Sequence, residues 1–284
     1  MNAFPKTLTL GLGILTVAAF AVFSAGQAAP PPAQAAAGQA MTPAAPAPAA
    51  PAATQDSGPP TGPPDFSGIH HLPPAAAAAN APRTIAPYFV PATATPKAPD
   101  ADGFIQRWLL LEPIAKPNRT NTVFVGTYVR KTFATEYFPD QFTVVPHDGD
   151  KVTVAGQQLA WHALDSTNFN VKLFRFAYGL NKPTYGVIFW AVTVVDSPRE
   201  MKDVRLAAGS NSASIWWLNG QDVVDLFDDR RMVMDDVVSK RLTLNKGRNV
   251  LRGAVINGPG LSDFCVRFID EDGKPIKDLT VNVK

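Results

Sequence analysis

Cysteine is almost missing from this chain. Cys265 is the only one in 284 residues, which excludes a disulfide framework and a cysteine zinc site. Charge of one sign is missing too. The net charge is +2 with acids and bases interspersed, and no Lys/Arg cluster gives the one-sided field of a nucleic-acid binder. No Gly-x-Ser-x-Gly nucleophile elbow occurs, and Gly209-Ser210-Asn211 lacks the second glycine. No apolar run reaches the roughly 20 residues that a membrane-spanning helix prefers. The longest, Leu8 to Phe23, has about 16.

That run is instead the h-region of a secretory signal. Lys6 precedes it, and Ser24-Ala25-Gly26-Gln27-Ala28 supplies small residues for cleavage after Ala28. Residues 1–28 are therefore read as a signal peptide, and the protein as secreted or periplasmic. A membrane association would come only from leaving that segment uncleaved. Residues 29–100 are read as an Ala/Pro-rich, disordered linker, with Pro30-Pro31-Pro32 and Ala75 to Ala79 as its clearest runs. Within it, Ile85 to Val90 is apolar enough to pack back onto a folded domain. His70 and His71 lack a third ligand and make a weak metal signal.

Composition changes at about residue 100. The stretch 101–284 is long enough for one domain with a sizeable core. Its pattern is short apolar runs separated by turn signals about every ten residues, without a long amphipathic helix. Ser214 to Val224 is the clearest unit: an aromatic run meets Asn219-Gly220 and resumes at Val223-Val224. Asn-Gly readily takes positive φ at both positions, so a tight hairpin is expected. Tyr185 to Val195 is a nearly continuous β-branched run suited to a central strand. Phe169 to Phe176 alternates with period two and reads as a strand; Asp225 to Asp236 reads as a polar loop. Cys265, in the alternating Phe264 to Phe268, reads as a small buried hydrophobe. The fold class is all-β, an antiparallel β-sandwich.

Three stretches give a more specific resemblance. Phe104-Ile105-Gln106-Arg107-Trp108-Leu109-Leu110-Leu111-Glu112-Pro113 is similar to the opening strand of galactose-binding-like jelly-roll domains of exported bacterial proteins, with Glu112 in place of a glycine. Leu206-Ala207-Ala208-Gly209-Ser210 through Trp217-Leu218-Asn219-Gly220 resembles that family's approach to its Trp-Leu-Asn-Gly hairpin. Leu244-Asn245-Lys246-Gly247-Arg248-Asn249-Val250-Leu251 resembles its Leu-x-x-Gly-x-Asn-x-Leu strand entry. The match runs over roughly residues 103–272 and is poorest at 115–160. Ser210-Asn211-Ser212 stands where the family often carries acids. The resemblance implies a jelly-roll sandwich, often appended to glycoside hydrolases or carbohydrate esterases, with Trp108 and Trp217 in the core. The same sandwich serves glycan binding, protein contact and scaffolding alike.

Sugar recognition needs aromatic platforms with amides and carboxylates beside them. Trp216, Asn219, Trp190, Tyr185, Asp228 and Arg230 are the candidate binding residues. Adjacent strand residues face opposite ways, so with Trp217 buried, Trp216 is the tryptophan expected at the surface. Trp161 is a further aromatic of this kind. Asp225, Asp228, Asp229, Asp235 and Asp236 could furnish paired acids or a structural calcium, but their spacing matches no EF-hand loop. No cofactor is called for. Pairing Ser210 with His147 or His162 would be needed for a hydrolase. The resulting reading is a non-catalytic exported module that binds carbohydrate. Its rivals are an envelope scaffold contacting proteins without a sugar site, and a divergent carbohydrate esterase or hydrolase.

Overall fold

A computed structural model describes residues 83–116, 126–228, 230–257 and 261–284. The segment read as a signal peptide, His70, His71 and the stretch read as linker up to residue 82 lie outside the described residues. The strands are β1 (Phe89–Pro91), β2 (Arg107–Leu111), β3 (Ile114–Ala115), β4 (Lys151–Val154), β5 (Gln157–Ser166), β6 (Val187–Ser197) and β7 (Met201–Ser210). They continue as β8 (Ser214–Leu218), β9 (Gln221–Leu226), β10 (Val237–Val238), β11 (Leu242–Leu244), β12 (Gly247–Asn257), β13 (Phe264–Ile269) and β14 (Thr280–Asn282). Among the described residues two short helices interrupt them, α1 (Gly126–Ala134) and α2 (Leu173–Gly179).

All the strand pairs are antiparallel and fall into two sheets. The larger, ten-stranded sheet runs β1-β5-β2-β6-β12-β8-β9, with β3 and β14 also on β6 and β4 on β5. The smaller has four strands, β10 and β11 on one side of β7 and β13 on the other. The sheets pack face to face. Trp108, Leu110, Phe189, Ala191 and Trp216 of the large sheet meet Leu206, Ala208, Phe264, Val266 and Phe268 of the small one in a single buried cluster. The all-β, antiparallel sandwich expected from the turn spacing is thus the observed fold class.

The large sheet carries a second apolar layer on its outer face. Leu109, Leu111, Ile188, Trp190, Val192, Ile215, Ala254 and Ile256 pack there under Val129 and Phe133 of α1 and Phe138. Covering both faces is why β6 reads as an unbroken apolar run, and it lies in the middle of the sheet as that run predicts. The Asn-Gly hairpin forms between β8 and β9, with φ of 50° at Asn219 and 81° at Gly220. Among the described residues, no helix is long and apolar enough to cross a membrane.

Two expectations need correction. The stretch read as linker as far as residue 100 joins the folded part earlier, through the apolar run Ile85 to Val90 that was expected to pack back: Phe89 is 2% exposed, β1 pairs with β5, and Lys97 bridges to Val281. Pro91 is tolerated because β1 is an edge strand. The period-two run Phe169–Phe176 is no strand, since α2 begins at Leu173. Leu173, Phe176 and Ala177 sit at helical i, i+3, i+4 spacing and are the residues that α2 buries. A short apolar run satisfies both periods, and here the longer one wins.

Candidate functional site

The outer layer leaves one aromatic cleft of about 370 Å³, lined by Arg130, Phe133, Ala134, Phe142, Ile215, Trp217 and Asp222. Trp217, which lines it, belongs to a stacked tryptophan pair. Trp190 on β6 and Trp217 on β8 lie 5.6 Å apart with their planes 10° from parallel. Phe142 meets both edge-on, at 5.7 Å from Trp190 and 6.1 Å from Trp217. Trp190 is fully buried, Trp217 is half-buried, and Phe142 is 36% exposed. Phe142 is held by a turn in which Thr143 and Val144 donate their amides to the Asp140 carbonyl at 2.9 and 2.8 Å. The buried Arg252 donates to the Val144 carbonyl at 2.7 Å, tying that turn to β12. Burial brings the Arg252 guanidinium down to about 10.

A β-bulge supplies the polar wall. Trp216 faces Val224 across the hairpin, whereas the next residue, Trp217, faces Asp222, so Val223 is the extra residue. Residues directly opposite on paired strands share a face. Asp225, opposite Ile215, and Asp222, opposite Trp217, therefore both lie on the outer face, although three residues apart in a regular strand would place them on opposite faces. Arg130 of α1 reaches over to both, 3.4 Å from Asp222 Oδ2 and also hydrogen-bonded to Asp225. Its guanidinium lies 5.1 Å from the Phe227 ring centroid. Burial first, and then the neighbouring Asp225 carboxylate, push the Asp222 carboxyl above its ordinary range, against the pull of Arg130. Asp225 Oδ1 is enclosed and accepts no hydrogen bond among the described residues.

None of the six residues singled out in the sequence lines this cleft; Trp190 is nearest to it in contact, fully buried and stacked on Trp217. Trp216 is fully buried between the sheets, against Trp108 and Phe264 at 5.9 and 4.9 Å, with its indole N–H on Ser214 Oγ at 3.1 Å. The expected roles of the two tryptophans are therefore exchanged. They do face opposite ways, but the fully covered side is the one between the sheets. Asn219 is exposed at the hairpin, away from the cleft-lining residues, and each end of its amide holds one partner: Nδ2 donates to Asn249 Oδ1 at 2.9 Å, and Oδ1 accepts from the Val250 amide at 2.8 Å. Tyr185 is 55% exposed but packs beside Phe174 of α2, away from the cleft-lining residues. Asp228 is exposed on the loop after β9, and Arg230 is engaged with Asp236. Asp235 pairs with Arg267, so this loop is charge-balanced. Asp229 lies outside the described residues.

The serine–histidine pairings that an esterase would need do not assemble among the described residues. Ser210 is buried and bonded to Ser214 Oγ at 2.9 Å, His147 pairs with Asp150, and His162 lies 3.5 Å from Glu112. No three His, Cys, Asp or Glu side chains gather as a cation site among the described residues. The sequence reading missed Trp217, Phe142, Asp222 and Arg130. One signal was present: the adjacent Val223-Val224 breaks alternation and marks the bulge that turns Asp222 outward.

No family model matches the chain, and no curated protein does. Among solved structures it is similar to a PA14 sugar-binding domain from an RTX adhesin, at 11% identity and a TM-score of 0.34, over 61% of this chain and 95% of that one. It is similar to the PA14 domain of an antifreeze protein, at 8% identity and a TM-score of 0.27, over 67% and 84% of the two chains. A β-glucosidase from Kluyveromyces marxianus shares 21% identity at a TM-score of 0.27, over 41% of this chain and 13% of that enzyme.

Proposed function

We propose that the chain is a non-catalytic, exported binding module that takes a carbohydrate in the cleft at Trp217. One observation carries this reading: the half-buried Trp217 and the exposed edge of Phe142 meet the Asp222 carboxylate and the Arg130 guanidinium in one cleft. A sugar ring has an apolar C–H face and a rim of hydroxyls. The aromatic pair suits the face, and a carboxylate beside a guanidinium suits the rim, accepting from one hydroxyl and donating to another. The cleft volume is that of a small-ligand site and fits one or two sugar units.

The test is a tryptophan fluorescence titration of the full chain with neutral soluble oligosaccharides and polysaccharides, beside Trp217→Phe and Asp222→Asn variants. A saturable shift weakened about tenfold in either variant supports the reading, as loss of an aromatic contact or charge-assisted hydrogen bond is worth about 1–2 kcal/mol. No shift with any glycan, or one unchanged in both variants, overturns it. A second reading, a protein-contacting envelope scaffold, draws on exposed Val233, Met234 and Val238 along the loop leading into β10. Chemical crosslinking in an envelope fraction, lost in a Val233→Ser/Met234→Ser variant, would favour it.

A further inference from the structure

We infer that a second surface, built on α2 and the segment before β1, binds an acidic polysaccharide, a chain of carboxylate-bearing sugars. The inference does not rest on the Trp217 cleft.

α2 buries Leu173, Phe176 and Ala177, which leaves Phe174, Arg175 and Tyr178 on its other side. The Phe174 and Tyr178 rings are parallel within 8°, 6.4 Å apart, and Tyr185 lies 5.7 Å from Phe174. Tyr178 is 38% exposed and Tyr185 is 55% exposed. The Arg83 guanidinium lies over the Tyr178 ring at 4.8 Å. Arg175 lies over Tyr88 at 5.0 Å and near Phe174 at 6.0 Å. These contacts link six residues, four rings and two guanidinia, into one strip. The segment carrying Arg83 and Tyr88 is anchored: Thr167 Oγ1 donates to the Pro87 carbonyl at 2.8 Å, and Phe89 packs on Phe176 at 6.1 Å.

Charge decides the ligand class. Lys172 and Lys182, at the two ends of α2, are committed to Asp263 at 2.7 Å and Glu112 at 2.8 Å. Arg83 and Arg175 have no carboxylate partner among the described residues. Arg83 donates only to Asn181 Oδ1, at 2.6 Å, and Arg175 makes no hydrogen bond there. Both are exposed. An exposed guanidinium held over a ring and lacking a carboxylate partner has N–H donors left for a ligand carboxylate. Two such forks beside exposed rings match a polymer that repeats a carboxylate and an apolar sugar face. A neutral glycan would leave the forks unused, and an apolar protein surface would bury them unpaired. Asp263, an acid that feels the Arg175 charge, is 3% exposed and already held by Lys172.

The test is affinity electrophoresis and titration calorimetry of the full chain with alginate, a polyuronate, against dextran of matched length. Vesicles of phosphatidylglycerol in phosphatidylcholine provide a third arm. Variants are Arg83→Gln/Arg175→Gln, Tyr178→Ala/Tyr185→Ala and Trp217→Phe, each checked by its thermal midpoint. The expected result is retention by alginate but not dextran on this strip, weakening with salt. We expect a loss of about tenfold per guanidinium removed, a smaller loss in the tyrosine variant and none in Trp217→Phe. Alginate bound no better by the parent than by the arginine variant overturns the inference. So does alginate binding lost only in Trp217→Phe, which would place the polymer in the cleft. Binding to anionic vesicles without alginate binding also overturns it, in favour of a membrane surface.

Discussion

The Trp216 indole occupies the space that a side chain at Gly253 would need. A Cβ on Gly253 would lie 2.3 Å from Trp216 Cζ3 and 2.6 Å from Cε3. The two residues face each other across β8 and β12, so the missing side chain on one strand is filled by the large ring on the next. The ring has little room to retreat, with Trp108 and Phe264 against it and its N–H on Ser214.

Gly253→Ala should therefore overpack the sandwich core and cost about 1–3 kcal/mol. Urea denaturation followed by fluorescence would show the midpoint drop at unchanged slope. A midpoint equal to that of the parent would mean that the ring does not sit against β12 as described. Trp216→Phe, which opens a cavity instead, should also destabilise without weakening glycan binding, since this tryptophan lies on the face away from the cleft.

Arg107 and Asp165 form a second decisive pair. They stand opposite each other on β2 and β5, joined by two parallel hydrogen bonds of 2.8 and 2.9 Å, and both are almost fully buried. Arg107 also donates to the Thr95 carbonyl and to Thr93 Oγ1, fastening the segment that follows β1. Arg107→Met alone should cost about 3–5 kcal/mol, because it leaves a buried carboxylate short of its partner. Arg107→Met/Asp165→Leu should recover most of that loss in the denaturation midpoint, yet remain open to protease near residues 93–97.

These residues also show where the sequence was legible and where it was not. Asn219-Gly220 announced its hairpin because the turn requires positive φ, a strictly local demand. The run through β6 announced a central strand because both faces of that strand are covered. Alternation likewise established that Trp216 and Trp217 oppose each other. Which of them is the more open depends on what lies above each face, and that is not local information. The covering layer comes from α1 and the 137–145 turns, within the stretch whose resemblance to a known pattern was weakest. Ile85 to Val90 was legible as a segment that packs back, but its pairing as β1 was not: three residues at a sheet edge, ending in proline, carry no strand pattern against an Ala/Pro-rich background. The bulge at Val223 moved two acids to one face, which strict period-two counting cannot foresee.

Cys265 offers a test that needs no ligand. It is fully buried, and burial first, then the Asp235 charge, push its thiol up to about 12. In the unfolded chain the thiol titrates near 9.0. The folded state thus retains the proton over a range where the unfolded state gives it up. The stability tied to that proton is complete below about 9 and is lost as pH rises toward about 12. Iodoacetamide at pH 8 should label Cys265 only as fast as the protein opens, and Cys265→Ala should flatten the alkaline decline in stability. Rapid labelling of the native protein would contradict this.

The carboxylates of the cleft predict how glycan binding responds to acid. Asp222 offers its oxygens to ligand hydroxyls as an acceptor, a role that is diminished when it is protonated. Its folded value is raised, by burial and then by Asp225, so it takes up its proton at a higher pH than an ordinary aspartate. Glycan affinity should accordingly be full near neutrality and begin to fall on acidification above the usual carboxylate range. Asp225→Asn removes the neighbouring charge, so the fall should move to lower pH while affinity near neutrality stays close to the parent value. Asp222→Asn should bind weakly at every pH, with the acid-dependent fall gone. Calorimetric titrations of the three proteins from pH 7 down to pH 4 check this. A parent curve that is flat over this range, or one left unmoved by Asp225→Asn, would mean that the Asp222 carboxylate does not contact the ligand.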